Sequence, residues 1–148
     1  MPTWSRIRHK LETKYLAESL KGHIQYYCTT YSKSPDHNGR ASIRLDGKEI
    51  LRGCYHRKEW NDPKMDEVSL RIGAFDQESF YCAFQEFDTQ SIDESLNSPN
   101  LLVRIFAILD RRVGKRRLLA MREALSEKDE IFHRFYTIRT DAEGLSSE

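Results

Sequence analysis

The stretch LDRRVGKRRL, residues 109–118, sets Arg111, Arg112, Lys115, Arg116 and Arg117 around Gly114 with a single acid, Asp110. Two chemistries suit that composition. Clustered guanidinium and ammonium groups can grip the phosphates of a nucleic acid or of a phosphorylated ligand. The same groups can close a fold by pairing with carboxylates that would otherwise be buried alone. Asp110 projects toward the apolar side of the helix before it, so burial would demand an arginine partner. Asp110 with Arg112 is therefore expected as a structural ion pair, with Lys115 and Arg117 left exposed for an anion.

Other residues could also do chemistry. Tyr27 and Tyr31 interleave with Lys33, Arg40 and Arg44, a composition that stacks bases and tracks phosphates. It is equally an ordinary sheet face, because tyrosine and arginine pair well across strands. Asp36 and His37 in PDHNG place an acid beside an imidazole on a loop, the makings of acid–base work. No helix follows within a few residues to return a further ligand, and turns favour Asp, Asn and Gly anyway.

Cys28, Cys54 and His56 invite a metal. On the first and third strands of a meander they would stand ~9.6 Å apart, at ~4.8 Å per neighbouring strand. A zinc ion with sulfur at ~2.3 Å does not bridge that gap, and no C-x-x-C pair is present. Cys82 lies beside an apolar helical stripe and reads as a packing residue. The chain has no G-x-S-x-G, no P-loop and no H-E-x-x-H. No cofactor, metal or catalytic set is expected.

The elements that must position these residues follow from periodicity. Trp4, Ile7, Leu11 and Tyr15 recur at helical steps, with Gly22 as a stop. HIQYYCTTYSK, RASIRL and KEILRGCY read as three strands, joined by the turn cluster SPDHNG and by Asp46-Gly47, a two-residue hairpin signal. If Leu45 faces Lys48, then Arg44 meets Glu49 and Ile43 meets Ile50. Ile24, Tyr26, Cys28, Ile43 and Leu45 would share the inner face, leaving Tyr27, Tyr31, Arg40 and Arg44 outside.

Residues 56–75 read as a connecting loop. Beyond them Asp76 caps a helix with a Phe80, Phe84 and Phe87 stripe, and Ser91 with Glu94 makes a capping box. Ser98-Pro99 opens a helix over 99–113 that is apolar around most of its circumference, the mark of a buried centre. A change of phase places a break at Gly114. Ser126 with Asp129 starts the last helix, with Ile131, Phe135, Ile138 and Ala142 in register. The fold class is α+β over one domain, 1–148. A helix and three-stranded antiparallel meander occupy 1–55, and a bundle of about five helices occupies 76–144.

Charge is segregated although the net value is only +1. Residues 1–56 carry ten basic groups against five acids, and 57–100 carry four against ten. Residues 101–122 carry seven against one, and 123–148 three against seven. Blocks of alternating sign can neutralise one another inside one fold. Hydrophobic residues at 39% and charged residues at 32% fit a globular chain. No apolar run approaches the ~20 residues of a membrane span, and MPTWSRIRHKLE has no apolar core of a secretory signal. Three cysteines, an odd count at wide spacing, point to a reducing cytosol.

The opening W-S-R-I, S-L-K-G at 19–22, the D-G-K-E-I hairpin and L-D-R-R-V-G-K-R-R-L resemble a family of small uncharacterised bacterial cytosolic proteins. That resemblance brings no activity and no functional residues. SPNLLVRIFAILD is similar to one helix of a HEAT-type repeat, but a single copy cannot stack into a solenoid. By elimination the chain is expected to be a non-enzymatic cytoplasmic module with a protein partner, regulatory or immunity-like, presenting an open-edged sheet beside a helical scaffold. A nucleic-acid binder using Tyr27, Tyr31, Arg40, Arg44 and the 111–117 cluster is the alternative. An enzyme built around Asp36 and His37 comes third.

Overall fold

A computed structural model describes residues 3–28, 40–53, 65–125 and 130–145. Tyr31, Lys33, Asp36, His37, Cys54, His56 and the Ser126/Asp129 helix start lie outside the described residues.

The chain opens with α1, Trp4–His9, whose first turn is capped by the Thr3 hydroxyl accepting from the Arg6 amide at 3.4 Å. It continues over Lys10–Tyr15 as a wider π-helical turn. Ile7, Leu11 and Tyr15 are buried on one face, with Trp4 packed against them. Regular helix ends at Tyr15 rather than near Gly22, because Leu16 turns extended and bridges Asp110. Gly22, at φ +85°, serves instead as the turn into the sheet after a short 3-10 turn, Glu18–Leu20.

Strands β1 (Ile24–Cys28), β2 (Ala41–Leu45) and β3 (Lys48–Arg52) form an antiparallel sheet in that order. Asp46 and Gly47 both take positive φ, 52° and 85°, as the tight hairpin requires. Leu45 faces Lys48 and Arg44 faces Glu49, but Ile43 meets Leu51 rather than Ile50. A bulge at this point leaves Ile50 as the extra residue and turns Leu51 into the core. The Arg134 guanidinium takes the Ile50 carbonyl at 3.2 Å. Ile24, Tyr26 and Ile43 are buried, with Cys28 and Leu45 packed beside them, so the inner face is as the alternation implies.

Among the described residues six α-helices follow: α2 (Glu67–Arg71), α3 (Gln77–Thr89), α4 (Ile92–Leu96), α5 (Leu101–Ile108), α6 (Lys115–Met121) and α7 (Glu130–Ala142). α2 falls in the stretch 56–75 that reads as loop; five residues are too few to show a period, and Asp66 starts it by accepting from the Ser69 amide at 2.9 Å. The Asp76 cap and the Ser91/Glu94 box form as their residue types dictate. α5 starts later than Ser98-Pro99 suggests, because Asn100 supplies the cap to Leu102 and Val103.

α5 is the centre of the molecule. It packs on α3, α4 and α7, and Leu102, Ile105 and Leu109 are wholly buried. Phe106 meets Tyr26 at 5.5 Å and both Phe80 and Phe87 at 5.8 Å, each edge to face. At the far end of the sheet Gly53 passes the Phe75 backbone so closely that an added Cβ would stand 2.3 Å from the Phe75 carbonyl oxygen.

Two substitutions test this packing by urea denaturation. Phe106→Ala should lose ~3–5 kcal/mol, because it empties the ring cluster where sheet and helices meet. Gly53→Ala should lose ~1–3 kcal/mol, since backbone must move to admit one methyl. A Phe106→Ala midpoint equal to the parent's would remove α5 from the core.

Candidate functional site

α5 ends at Ile108, and its last carbonyls need partners that the helix cannot supply. The corner between α5 and α6 provides them from far along the chain. Arg139 of α7, only 3% exposed, donates from Nη1 to the carbonyls of Ile108 at 2.9 Å and Asp110 at 2.6 Å. Its Nη2 donates to the Val113 carbonyl at 2.7 Å, and its Nε to Glu143 at 2.9 Å. Glu143 also accepts from the Ser19 hydroxyl at 2.8 Å. The Ala17 amide donates to the Leu109 carbonyl at 2.9 Å and the Arg111 amide to the Tyr15 carbonyl at 2.7 Å. Three distant segments are thereby tied at one point.

Asp110 is fully buried inside this knot. Its Oδ1 accepts from the Arg112 amide at 2.7 Å and from Arg112 Nε at 3.0 Å, while Oδ2 accepts from Nη2 at 2.9 Å. The Arg112 guanidinium also stands 5.0 Å from the Tyr15 ring centre and 5.6 Å from that of Phe87. The hydrogen bond to Asp110 holds Arg112 above its ordinary pKa. Tyr15 donates its hydroxyl to Asp88, which Lys10 approaches at 3.5 Å. Burial, with that hydrogen bond, pushes the Tyr15 phenol up to about 12.

The remaining cations of the corner divide. Arg117 is ion-paired to Asp93 of α4. Arg111, Lys115 and Arg116 are exposed, and none forms an ion pair among the described residues. Lys115 and Arg116 stand in the first turn of α6, behind a Gly114 that offers no side-chain cap. The helix dipole disfavours cations there by ~0.3–1 kcal/mol each.

The outer sheet face places Tyr27, Arg40 and Arg44 together. The Arg44 guanidinium lies 4.1 Å from the Tyr27 ring centre. Arg40 reaches the Glu49 carboxylate at 3.2 and 3.5 Å, and Arg44 approaches it at 4.0 Å. The sheet edges are less open than the strand pattern implies. Glu12 accepts from the Tyr26 amide at 2.8 Å on the β1 side, and Arg134 takes the Ile50 carbonyl on the β3 side.

Burial pushes the half-buried Cys28 thiol up. Cys82 sits on the exposed side of α3, so the packing role read from its neighbours does not hold. Among the described residues no group of three or more His, Cys, Asp or Glu side chains could hold a metal ion. None of their helices is long and apolar enough to cross a membrane.

Arg139 is the residue that sequence reasoning passes over. α7 buries Ile131, Phe132, Phe135, Tyr136, Arg139 and Thr140, whereas Ala142 is exposed and Ile138 half-buried. An arginine four residues after Phe135, in phase with the apolar stripe, was the available signal. α5 stops at Ile108, short of the 113 that the apolar run suggests, and Arg139 takes the Ile108 carbonyl, so Arg111 and Arg112 lie beyond the helix.

One family model, described as the SF0329 protein family, matches residues 3–68 and 56–140. No curated protein and no solved structure matches the chain.

Arg139→Ala should lower stability by ~3–5 kcal/mol, because it leaves buried carbonyls and Glu143 without their donor. Arg112→Ala should lower it by ~1–3 kcal/mol, the partly exposed side chain yielding some of its place to water. Thermal melts of both variants check this, and a parent-like Arg139→Ala would dissolve the corner described above. Acid gives an independent readout. Burial alone would raise the Glu143 pKa, but hydrogen bonds from Ser19 and Arg139, with the charges of Arg139 and Lys115, carry it below the ordinary value. Its contribution is therefore present above the unfolded carboxyl pKa of ~4.3 and lost as pH falls through the lower folded value. Glu143→Gln should be less stable than the parent at neutral pH, and the difference should shrink below about pH 4.

Proposed function

Because the chain belongs to the SF0329 protein family, a membership that names no reaction, we propose that it is a non-enzymatic cytosolic module that docks an acidic protein partner in a regulatory or immunity-like role. The observation that carries this reading is the division of charge at the α5–α6 corner. Asp110, Arg112, Arg117 and Arg139 are engaged within the fold, whereas Arg111, Lys115 and Arg116 are exposed with no ion pair among the described residues. Lys115 and Arg116 stand against their own helix dipole, a local conflict of the kind expected where a function overrides propensity. The corner beneath them is held by buried hydrogen bonds, so little ordering is left for binding to impose.

A nucleic-acid reading draws on Tyr27, Tyr31, Arg40 and Arg44 as well. Tyr27 already has the Arg44 guanidinium against its ring, and Arg40 and Arg44 already face Glu49. Base stacking would have to displace a contact in place. That favours carboxylates meeting the corner over bases meeting the sheet.

Fluorescence anisotropy against a labelled Glu-rich peptide and a mixed-sequence RNA oligonucleotide tests the proposal. The parent should bind the peptide, and the triple variant Arg111→Ala, Lys115→Ala, Arg116→Ala should lose about tenfold or more in affinity while still unfolding cooperatively, with only the small loss of stability that removing the Lys115 charge near Glu143 brings. Preferential RNA binding, with a salt slope of ~0.7 log unit per phosphate contact, would overturn the protein reading.

A further inference from the structure

The exposed face of α6 carries more than charge. At ~100° per residue, Lys115, Leu119 and Arg116 fall at roughly 0°, 40° and 100° around the helix, so the leucine lies between the two cations. Lys115 and Arg116 are exposed, and Leu119 is 46% exposed, one of three large hydrophobic residues left so open among those described. Leu118, about 100° round the helix from Leu119, is wholly buried and anchors the helix. The Tyr136 hydroxyl secures the same turn by donating to the Leu118 carbonyl. The outward face is thus presented on a fixed support.

We infer that this face receives an acidic protein segment in which an apolar residue sits between carboxylates, the apolar residue covering Leu119 and the carboxylates meeting Lys115 and Arg116. The inference rests on the docking reading above and specifies its partner. Charge complementarity identifies the occupant. Neither cation has an ion pair among the described residues; Asp93 is taken by Arg117, and Glu143, which feels the Lys115 charge, is taken by Arg139 and Ser19. Leu119 distinguishes such a segment from a purely anionic polymer such as polyphosphate, which has no apolar group to place on a leucine. Glu123, exposed in the 3-10 turn Arg122–Ala124, closes the far end of the face with a negative charge. Acidic residues of the partner are thereby directed to the Lys115 end.

Two peptides of equal length separate the inference from the reading it extends: one all glutamate, the other glutamate with one central leucine. The leucine peptide should bind the parent about tenfold more tightly, as burial of one exposed leucine against another implies. Leu119→Ser should abolish that preference while keeping the parent's affinity for the all-glutamate peptide and its melting temperature. Equal binding of the two peptides by the parent, or a preference that survives Leu119→Ser, overturns the inference and leaves the charge-based docking intact. Binding of neither peptide removes both. Concentration-dependent association of the chain alone in sedimentation, lost in Leu119→Ser, would assign the face to a second copy and overturn the acidic partner.

Discussion

A single buried guanidinium, that of Arg139, ties together the end of α5, the corner that follows it and the C-terminal turn of α7. Helix α5 is apolar on nearly every side, so its C-terminal carbonyls emerge where water cannot reach them. Each carbonyl left alone there would cost ~1–3 kcal/mol. A planar fork of donors is well suited to several carbonyls at once, which a lysine ammonium would meet only as a point charge. The cost of burying the charge is offset by Glu143, which is itself held by Ser19. The N-terminal segment is drawn into the same arrangement through Leu16 and Ala17.

That corner explains how charge is sorted in the molecule. Asp110 needs a partner because it is buried, and the nearest guanidinium that can wrap back to it is Arg112, two residues on. Arg112 then lies against Tyr15 and Phe87, so that one side chain serves an ion pair and two aromatic rings. Arg117 points to the other side of α6 and finds Asp93. Of the corner's cations, Arg111, Lys115 and Arg116, on the outward side, are left to water. The internal pairing of alternating charge blocks is therefore real but incomplete: at this corner Arg111, Lys115 and Arg116 have no ion pair among the described residues.

The sheet is subordinate to the helical part. Its inner face lays Tyr26 on Phe106, and both edges are met by side chains from helices. The β3 bulge makes this fit work. It turns Leu51 inward and frees the Ile50 carbonyl for Arg134. On the outer face Glu49 gathers Arg40 and Arg44 in a cross-strand arrangement, while the Arg44 Nε is buried without a hydrogen-bond partner among the described residues.

Short-range information in the sequence determined the elements with strong local signals. Asp76, Ser91 with Glu94, Asp46-Gly47 and the phenylalanine stripe of α3 act within a few residues of themselves, so their outcome is legible without the rest of the chain. The near-continuous apolar run of α5 likewise identifies the core, because such a helix has no face to give to water. Tertiary structure alone decided where α5 stops, that Leu51 replaces Ile50 and that Arg139 turns inward. Each of these depends on a partner tens of residues away, and local pattern holds no record of that distance. The basic stretch shows the division most plainly: its composition announced both a clamp and a grip. Which arginines entered the clamp was decided by a carboxylate at 110, a helix end at 108 and a guanidinium at 139 meeting in space.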